Sequence, residues 1–254
     1  MTDPQVLRSQ ADEILELHER GELEAALRAC DALLATDALA ETHDEVVRES
    51  LFAARFERGV LLTELGELAA AAAAYAEAAD TPSDLDDPDQ RHELAMALLN
   101  QGICLDALDR PEEALGVYDQ LIDELGDAED PVTADQVVRA RVNRGAVMLT
   151  LGRTDDALSA ADRLQSELDP DDVLEAEQLA MVIRLRASAL VELDRRQEAA
   201  AALTDVERCN QEEPGARAQI AAALDERARL LADLGDRQEA IAVSERAQAV
   251  SERT

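Results

Sequence analysis

The 254-residue sequence contains no tryptophan and only two tyrosines and two phenylalanines. A core with so few aromatic side chains must be filled by aliphatic residues and alanine, and 47% of the chain is hydrophobic. The abundant residues, alanine, leucine, arginine and glutamate, are strong helix formers, and few β-branched residues compete with them. The composition therefore predicts an all-α protein and disfavours an all-β sandwich or barrel.

Lysine is also absent, so all 24 basic residues are arginine, against 57 acidic residues and a formal charge of -33. A surface this acidic repels phosphate backbones and anionic lipid headgroups, so we expect neither a nucleic-acid partner nor membrane binding. The arginine-only usage indicates a GC-rich bacterial or a halophilic source. The alternative explanation is escape from lysine-directed tagging for degradation.

Cysteine is rare, and Cys30, Cys104 and Cys209 lie far apart without C-x-x-C spacing. This argues against a disulfide framework or a thiolate metal site and fits a reducing cytoplasm. The amino terminus lacks the basic start and apolar core of a secretory signal. The longest apolar run, residues 68–76, is far shorter than the roughly 20 residues that span a bilayer. A cytoplasmic location is therefore predicted.

The parts of an enzyme are missing as well. His18, His43 and His92 are scattered without metal-ligand spacing, and no glycine-rich phosphate loop follows a strand. Without lysine there is no Schiff-base nucleophile. The sequence therefore predicts no enzyme activity, no catalytic residue, no metal and no cofactor.

An internal repeat fills the chain. Segments with a Gly or Asp turn, a charged stretch and then an alanine recur, and the successive differences between their alanines are 45, 43, 43, 42 and 41 residues. The anchor alanines of these segments are Ala26, Ala71, Ala114, Ala157, Ala199 and Ala240. This period predicts six units, at about residues 4–41, 42–86, 87–129, 130–169, 170–213 and 214–254, in one domain over residues 1–254.

Glycine, aspartate and proline punctuate each unit. One slot before the second apolar stretch predicts a left-handed helix cap and holds Gly21, Gly66, Asp109, Gly152, Asp194 and Gly235. Asp-Pro pairs predict helix starts at Asp3-Pro4, Asp87-Pro88, Asp130-Pro131 and Asp169-Pro170, with Glu213-Pro214 a weaker copy. Thr42 and Glu45 have capping-box spacing at the start of the second unit. Each unit is therefore predicted to be a helix, a tight turn and a second helix.

A small residue also returns midway along the first helix of units two to six, at Gly59, Gly102, Gly145, Ala187 and Ala228. Glycine costs up to about 1 kcal/mol relative to alanine inside a helix, so a packing reason is needed. We expect close approach of the neighbouring second helix, with the anchor alanine opposite.

This pattern resembles the tetratricopeptide repeat (TPR): a small residue in the first helix, a turn glycine, an early alanine in the second helix, and then an aromatic such as Tyr75 or Tyr118. The chain departs from that family by lacking its first-helix tryptophan and by a period of about 42 rather than about 34 residues. The resemblance implies an α-solenoid, a right-handed superhelix with a concave inner wall lined by first helices. Tyr75 and Tyr118 are then expected in the core.

By analogy with the family, the predicted wall residues are Phe56, Val60, Met96, Asn100, Ile103, Arg139, Asn143, Ala146, Met181, Arg184 and Arg229. Asn100 and Asn143 are one repeat apart, and in peptide-binding members an asparagine at this place often holds the peptide backbone. Alternatively, both amides are hydrated or bond neighbouring helices. Arg139 and Arg184 are candidates to pair with a partner carboxylate, or they pair with acidic residues of this chain.

The resemblance implies a non-catalytic interaction scaffold, with a protein or peptide partner held as an extended segment in the groove. Two alternatives stay open: a structural subunit that assembles a complex through its outer or end surfaces, and a peptide-responsive sensor. The last unit ends at Thr254 without the additional solvating helix that usually closes such solenoids. The expected states are therefore a monomer, whose last helix is its own cap, or a weak homodimer.

Overall fold

The computed structural model describes residues 3–35, 44–173 and 175–252. Within these ranges there are twelve α-helices and no strand, which confirms the predicted all-α fold class. The helices are α1 Pro4–Glu19, α2 Leu23–Leu34, α3 Glu45–Glu64, α4 Leu68–Ala79, α5 Pro88–Ala107, α6 Pro111–Leu125, α7 Pro131–Thr150, α8 Thr154–Glu167, α9 Ala176–Glu192, α10 Arg196–Ala202, α11 Pro214–Leu234 and α12 Arg237–Ser251, with a 3-10 segment Leu203–Arg208 after α10. We call the odd-numbered helices first helices and the even-numbered ones second helices.

The chain divides into two compact units, residues 1–140 and 141–254, with the division inside α7. In the first unit, α1 packs against α2 and α3, and α3 packs against α2, α4 and α5. In the second unit, α9 packs against α8, α10 and α11, and α11 packs against α10 and α12. In each unit a first helix thus contacts its own second helix and the next first helix, which is the nearest-neighbour packing of a repeat protein.

The turn from each first helix to its second helix has the left-handed geometry that the sequence predicted. Four turns place a glycine at positive φ, for example Gly235 at 93°, and two place Asp109 and Asp194 at 58° and 59°. In all six, the next residue's N–H donates to a carbonyl five residues back, as Arg110 does to Leu105 at 3.0 Å. These bonds satisfy carbonyls that the helix end would otherwise leave without partners.

Three of the predicted Asp-Pro helix starts are confirmed, and one is wrong. Asp3, Asp87 and Asp130 accept hydrogen bonds from backbone N–H groups of the first turns of α1, α5 and α7. Asp169 instead caps a short turn, and the helix begins only at Ala176. The Pro170 carbonyl accepts from the N–H of Asn210 at 3.0 Å, and the N–H of Asp169 donates to the Glu175 carboxylate at 2.7 Å, so these contacts hold the segment in a turn.

The predicted capping box of the second repeat, Thr42 with Glu45, is described only in part, because Thr42 lies outside the described residues. Helix α3 begins at Glu45, and its N-cap is Asp44, whose carboxylate accepts from the N–H of Val47 at 3.3 Å. At α11, Pro214 is the first helical residue and Glu213 makes no side-chain cap.

At the mid-helix glycines, the group that approaches most closely is a side chain of a neighbouring helix and not its backbone. A Cβ atom added to Gly59 would lie 2.6 Å from a ring carbon of Tyr75, and one added to Gly102 would meet Tyr118 in the same way. Both rings come from the second helix of the same hairpin and are buried. At Gly145 the space is taken by Leu185 of α9. The anchor alanines Ala71, Ala114, Ala157 and Ala240 are also buried.

Candidate partner-binding surface

Three apolar side chains at equivalent places on α1, α3 and α5 form what we call the apolar ladder: Leu15, Val60 and Ile103. They are 45 and 43 residues apart, which is one repeat in each case. Leu15 is 45% exposed, Ile103 is 44% exposed, and Val60 is half-buried. Each ladder residue directly follows the mid-helix position, and that register also identifies Leu15, which the family pattern missed because Ile14 replaces the small residue there.

Phe56 and Met96, two other predicted wall residues of the first unit, are half-buried. The ring of Phe56 stacks on Phe52 at a centroid distance of 5.6 Å and meets the edge of Tyr75 at 5.4 Å. Phe56 also packs against the buried cluster that contains Ala97 of α5. The contacts of Phe56 are therefore with the core of the protein, and we do not count it as part of the ladder.

The two predicted asparagines are both half-buried. The side-chain amide of Asn100 donates to the Met96 carbonyl one turn earlier at 2.9 Å, which leaves its oxygen as the group to accept from a partner. Asn143, in the second unit, makes no side-chain hydrogen bond within the part of the chain that the structure describes.

Arg139 and Arg184 are each occupied by acceptors of the protein itself. The Nε atom of Arg139 lies 3.0 Å from a carboxylate oxygen of Asp135, one turn earlier on α7. Arg184 donates through Nε and Nη2 to Glu226 at 2.9 and 2.6 Å, and through Nη1 to Gln219 at 2.8 Å. The Arg184 guanidinium therefore fastens α9 to α11.

A cleft of about 300 Å³ lies between α9 and α11 in the second unit. Its lining includes the apolar side chains of Ala187, Val191, Leu203 and Leu230. Its polar lining residues are Ser188, Glu192, Glu226, Arg229 and Asp233. The predicted wall residue Arg229 is thus part of the cleft, whereas Met181, half-buried near the start of α9, does not line it.

Arg229 differs from Arg184 because no described residue accepts a hydrogen bond from its guanidinium. It is exposed and makes no hydrogen bond or ion pair with any described residue. The same holds for Glu192 and Asp233 within the described ranges. The cleft therefore presents one guanidinium and two carboxylates that the fold does not engage, beside the engaged pair of Arg184 and Glu226.

Arginine also links other pairs of neighbouring helices. Arg48 of α3 donates to Glu93 of α5 at 2.6 Å, and Arg58 of α3 lies 2.9 Å from Asp31 of α2. In the second unit, Arg186 of α9 lies 2.6 Å from Asp162 of α8. These partners are 24 to 45 residues apart, so no local sequence pattern indicates them. They reduce the number of arginines available to a partner.

One link between α1 and α3 uses histidine. The two ring nitrogens of His18 contact the carboxylates of Glu57 and Glu64, the latter at 3.0 Å. Desolvation lowers the pKa of His18, but its hydrogen bond to the Glu64 carboxylate and the negative charge of Glu57 outweigh this effect, so the pKa lies above the ordinary value. His18 therefore gains charge more readily than an isolated histidine.

The cysteines do not have the properties of nucleophiles. Cys30, Cys104 and Cys209 are buried, and burial raises the pKa of Cys30 to about 12 and that of Cys209 to about 11. Both thiols therefore stay protonated near neutral pH.

His43 lies outside the described residues, and the described ranges contain no group of three His, Cys, Asp or Glu side chains arranged for a metal ion. Among the described helices, none combines the length and apolar character needed to cross a membrane.

Comparison with known proteins identifies the fold. Neither a protein-family model nor a curated protein sequence matches the chain. Among solved structures, BtubC (BKLC) from P. vanneervenii is similar with a TM-score of 0.61 and 17% identity, over 98% of this chain and 91% of that one. PilW, a type IV pilus biogenesis factor, has a TM-score of 0.60 and 15% identity, over 98% and 96%.

A third similar structure is that of YrrB, a TPR protein with an unusual peptide-binding site. Its TM-score is 0.52 at 17% identity, over 82% of this chain and 88% of YrrB. Identities this low show the fold and not the activity. The packing of the hairpins and these similarities together show that this chain has the fold of the tetratricopeptide-repeat proteins.

Proposed function

We propose that this protein is a non-catalytic interaction scaffold that holds an extended peptide or partner segment along its first helices. The observation that carries this proposal is the apolar ladder, because Leu15 and Ile103 expose large apolar side chains at equivalent places on first helices instead of burying them in the hairpin cores. The general role of a protein-interaction scaffold agrees with the fold, and YrrB supplies a similar structure with a peptide-binding site.

The spacing of the ladder favours a particular kind of segment. Packed helices lie roughly 8–10 Å apart, so successive ladder side chains present contacts at about that interval. A polyproline II segment rises about 3.1 Å per residue and has three residues per turn, so every third side chain faces the same way at about 9 Å. We therefore expect the partner to carry apolar side chains at positions i, i+3 and i+6.

The size of the apolar contribution sets the expected affinity. Full burial of a large aliphatic side chain is worth about 1.5–3 kcal/mol, and Leu15 and Ile103 each have somewhat less than half of their surface left to bury. The ladder thus contributes on the order of 2–4 kcal/mol before losses of freedom are subtracted. Backbone hydrogen bonds, such as one accepted by the Asn100 oxygen, must supply the remainder.

The second candidate function is that of a structural subunit that assembles through outer or end surfaces. A specific observation favours it: Ile241 of α12, the last described helix, is 62% exposed. In this case the ladder stays empty and the contacts form at α12. We further propose a cytoplasmic setting, which the buried, unpaired cysteine thiols favour.

Site-specific photo-crosslinking in the native host separates the two functions. A benzoylphenylalanine is placed at Ile103 or Arg229 on first helices, or at the exposed control positions Gln120 and Glu245 on second helices. We expect a discrete crosslinked partner from the first-helix positions only. Crosslinks from Glu245 alone would favour assembly through the last helix.

Asparagine variants give an independent test of the same proposal. Asn100→Ala and Asn143→Ala remove side-chain amides that make no hydrogen bond to another described helix, so the far-UV circular dichroism should be unchanged. Loss of the crosslinked partner in these variants supports binding on the first helices. Retention of the complete assembly would place the contacts at the outer or end surfaces.

A further inference from the structure

We propose that the cleft between α9 and α11 receives one apolar side chain of a partner segment whose neighbouring residues are basic. This inference rests on the proposed function, because it names the partner chemistry for one part of the first-helix surface. It goes beyond that function by predicting both the anchor residue and the sign of the charge beside it.

The floor of the cleft sets the anchor. Ala187 and Leu203 are buried core residues, and Val191 and Leu230 pack partly exposed against the same core. A volume of about 300 Å³ is at the lower limit of ordinary ligand pockets, so it suits one large aliphatic side chain with its backbone rather than a cofactor. An apolar side chain that enters this cleft covers Val191 and Leu230 and removes them from water.

The charges around the floor set the chemistry of the flanking residues. Glu226 is neutralised by Arg184, with two contacts to the same carboxylate oxygen. Glu192 and Asp233 then outnumber Arg229, so the local field of the unengaged groups is negative, in a chain whose formal charge is -33. A carboxylate in the partner is repelled by this field, whereas a lysine or arginine is attracted.

Arg229 has a different role from the two acids. A guanidinium can only donate hydrogen bonds and cannot accept them. Arg229 lies one turn before Asp233 on the same helix. It can donate to a backbone carbonyl of the partner beside the anchor residue without requiring an acidic side chain. The occupant is therefore a neutral-to-basic segment: one apolar anchor, a backbone carbonyl on Arg229, and cations toward Glu192 and Asp233.

Three synthetic peptides of one length, acetylated and amidated in a Gly-Ser background, test this chemistry. The first has a central leucine with lysine two residues to each side, the second replaces both lysines with glutamate, and the third replaces the leucine with alanine. Binding to the full chain is followed by the methyl NMR signals of Val191, Leu203 and Leu230. We expect saturable shifts with the first peptide and binding weaker by about five- to tenfold or more with each of the others.

Two pairs of matched variants locate the binding. Ser188 is an exposed residue in the cleft and Ser244 is an exposed residue on α12, so Ser188→Phe fills the cleft and Ser244→Phe is its control. Glu192→Gln with Asp233→Asn removes the two unengaged acids. Asp123→Asn with Glu245→Gln removes the same charge from exposed positions elsewhere. Circular dichroism of every variant confirms an intact fold.

The inference predicts that Ser188→Phe abolishes the methyl shifts and that the Glu192/Asp233 variant loses the preference for the lysine peptide, while both controls retain them. Equal or tighter binding of the glutamate peptide would overturn it, because Arg229 would then be selecting a carboxylate. Shifts confined to other first-helix residues would overturn the cleft but keep the proposed function. If no peptide shifts any first-helix signal and crosslinks form only from second helices, the proposed function fails with it.

Discussion

Substitution of Gly102 by alanine tests why glycine returns inside the first helices. In an exposed helix, alanine in place of glycine stabilises by about 0.5–1 kcal/mol. At Gly102 the new methyl group would meet three ring carbons of the buried Tyr118, all within 2.9 Å of the added Cβ. Overpacking of this kind costs about 1–3 kcal/mol, so the clash outweighs the gain in helix propensity. We expect Gly102→Ala to lower the free energy of unfolding by on the order of 1–2 kcal/mol.

Gly116 supplies the matched control, because it lies on α6 of the same hairpin and a Cβ there meets nothing within 4 Å. Gly116→Ala should therefore raise the free energy of unfolding by about 0.5–1 kcal/mol. Urea unfolding at constant temperature, followed by circular dichroism, measures both variants. In a third chain, Tyr118→Leu removes the ring, and Gly102→Ala in that background should cost much less than it does alone.

Equal stabilisation by the two alanine substitutions would refute this explanation. It would show that the Tyr118 ring moves without cost, so the repeat of small residues would need a different reason. A loss of stability at Gly102 that persists in the Tyr118→Leu background would refute it too, because the ring would then not be the obstacle.

Three further predictions concern charge and backbone. Because the pKa of His18 is raised, its contacts with Glu57 and Glu64 stabilise the fold fully below about pH 6.5 and progressively less as the pH rises through the folded pKa. The free energy of unfolding measured in urea should therefore decline toward alkaline pH, and His18→Gln should abolish this decline. Self-repulsion at a formal charge of -33 predicts a melting temperature that rises from low salt to molar sodium chloride, whereas a falling curve would mean that the arginine-carboxylate pairs dominate. Asp109→Gly and Asp194→Gly remove the steric cost of a side chain at a left-handed backbone conformation, so each should raise the free energy of unfolding by up to about 1 kcal/mol. Calorimetry measures this change, and a lower stability of either variant would contradict the prediction.

The fold was predictable because its determinants are local. A turn such as that at Gly235 requires a positive φ, and Asp87 and Asp130 cap helices within three residues of themselves, so these features appear directly in the sequence. The start at Asp169 was not predictable in this way, because the bond from Asn210 to Pro170 joins residues 40 positions apart.

The site was predictable only in part, since side-chain contacts between helices decide which residues are available. The family pattern predicts Arg184 and Arg229 alike as wall residues on successive first helices, yet Arg184 donates to Glu226 and Arg229 has no partner among the described residues. Leu15 was missed because Ile14 departs from the family pattern, and the apolar floor of the cleft depends on Leu203, which comes from outside the first helices.

The most direct test of the proposed function is the partner-binding affinity of a chain with a polar ladder. Leu15→Asn, Val60→Asn and Ile103→Asn are combined in one variant, and Val132→Asn with Ile241→Asn, the two most exposed large apolar side chains among the described residues, serves as the control. With the crosslinked partner as titrant, we predict that the ladder variant loses at least about tenfold in affinity, which corresponds to about 1.4 kcal/mol, and that the control binds normally. Normal binding by the ladder variant together with loss in the control would contradict the account.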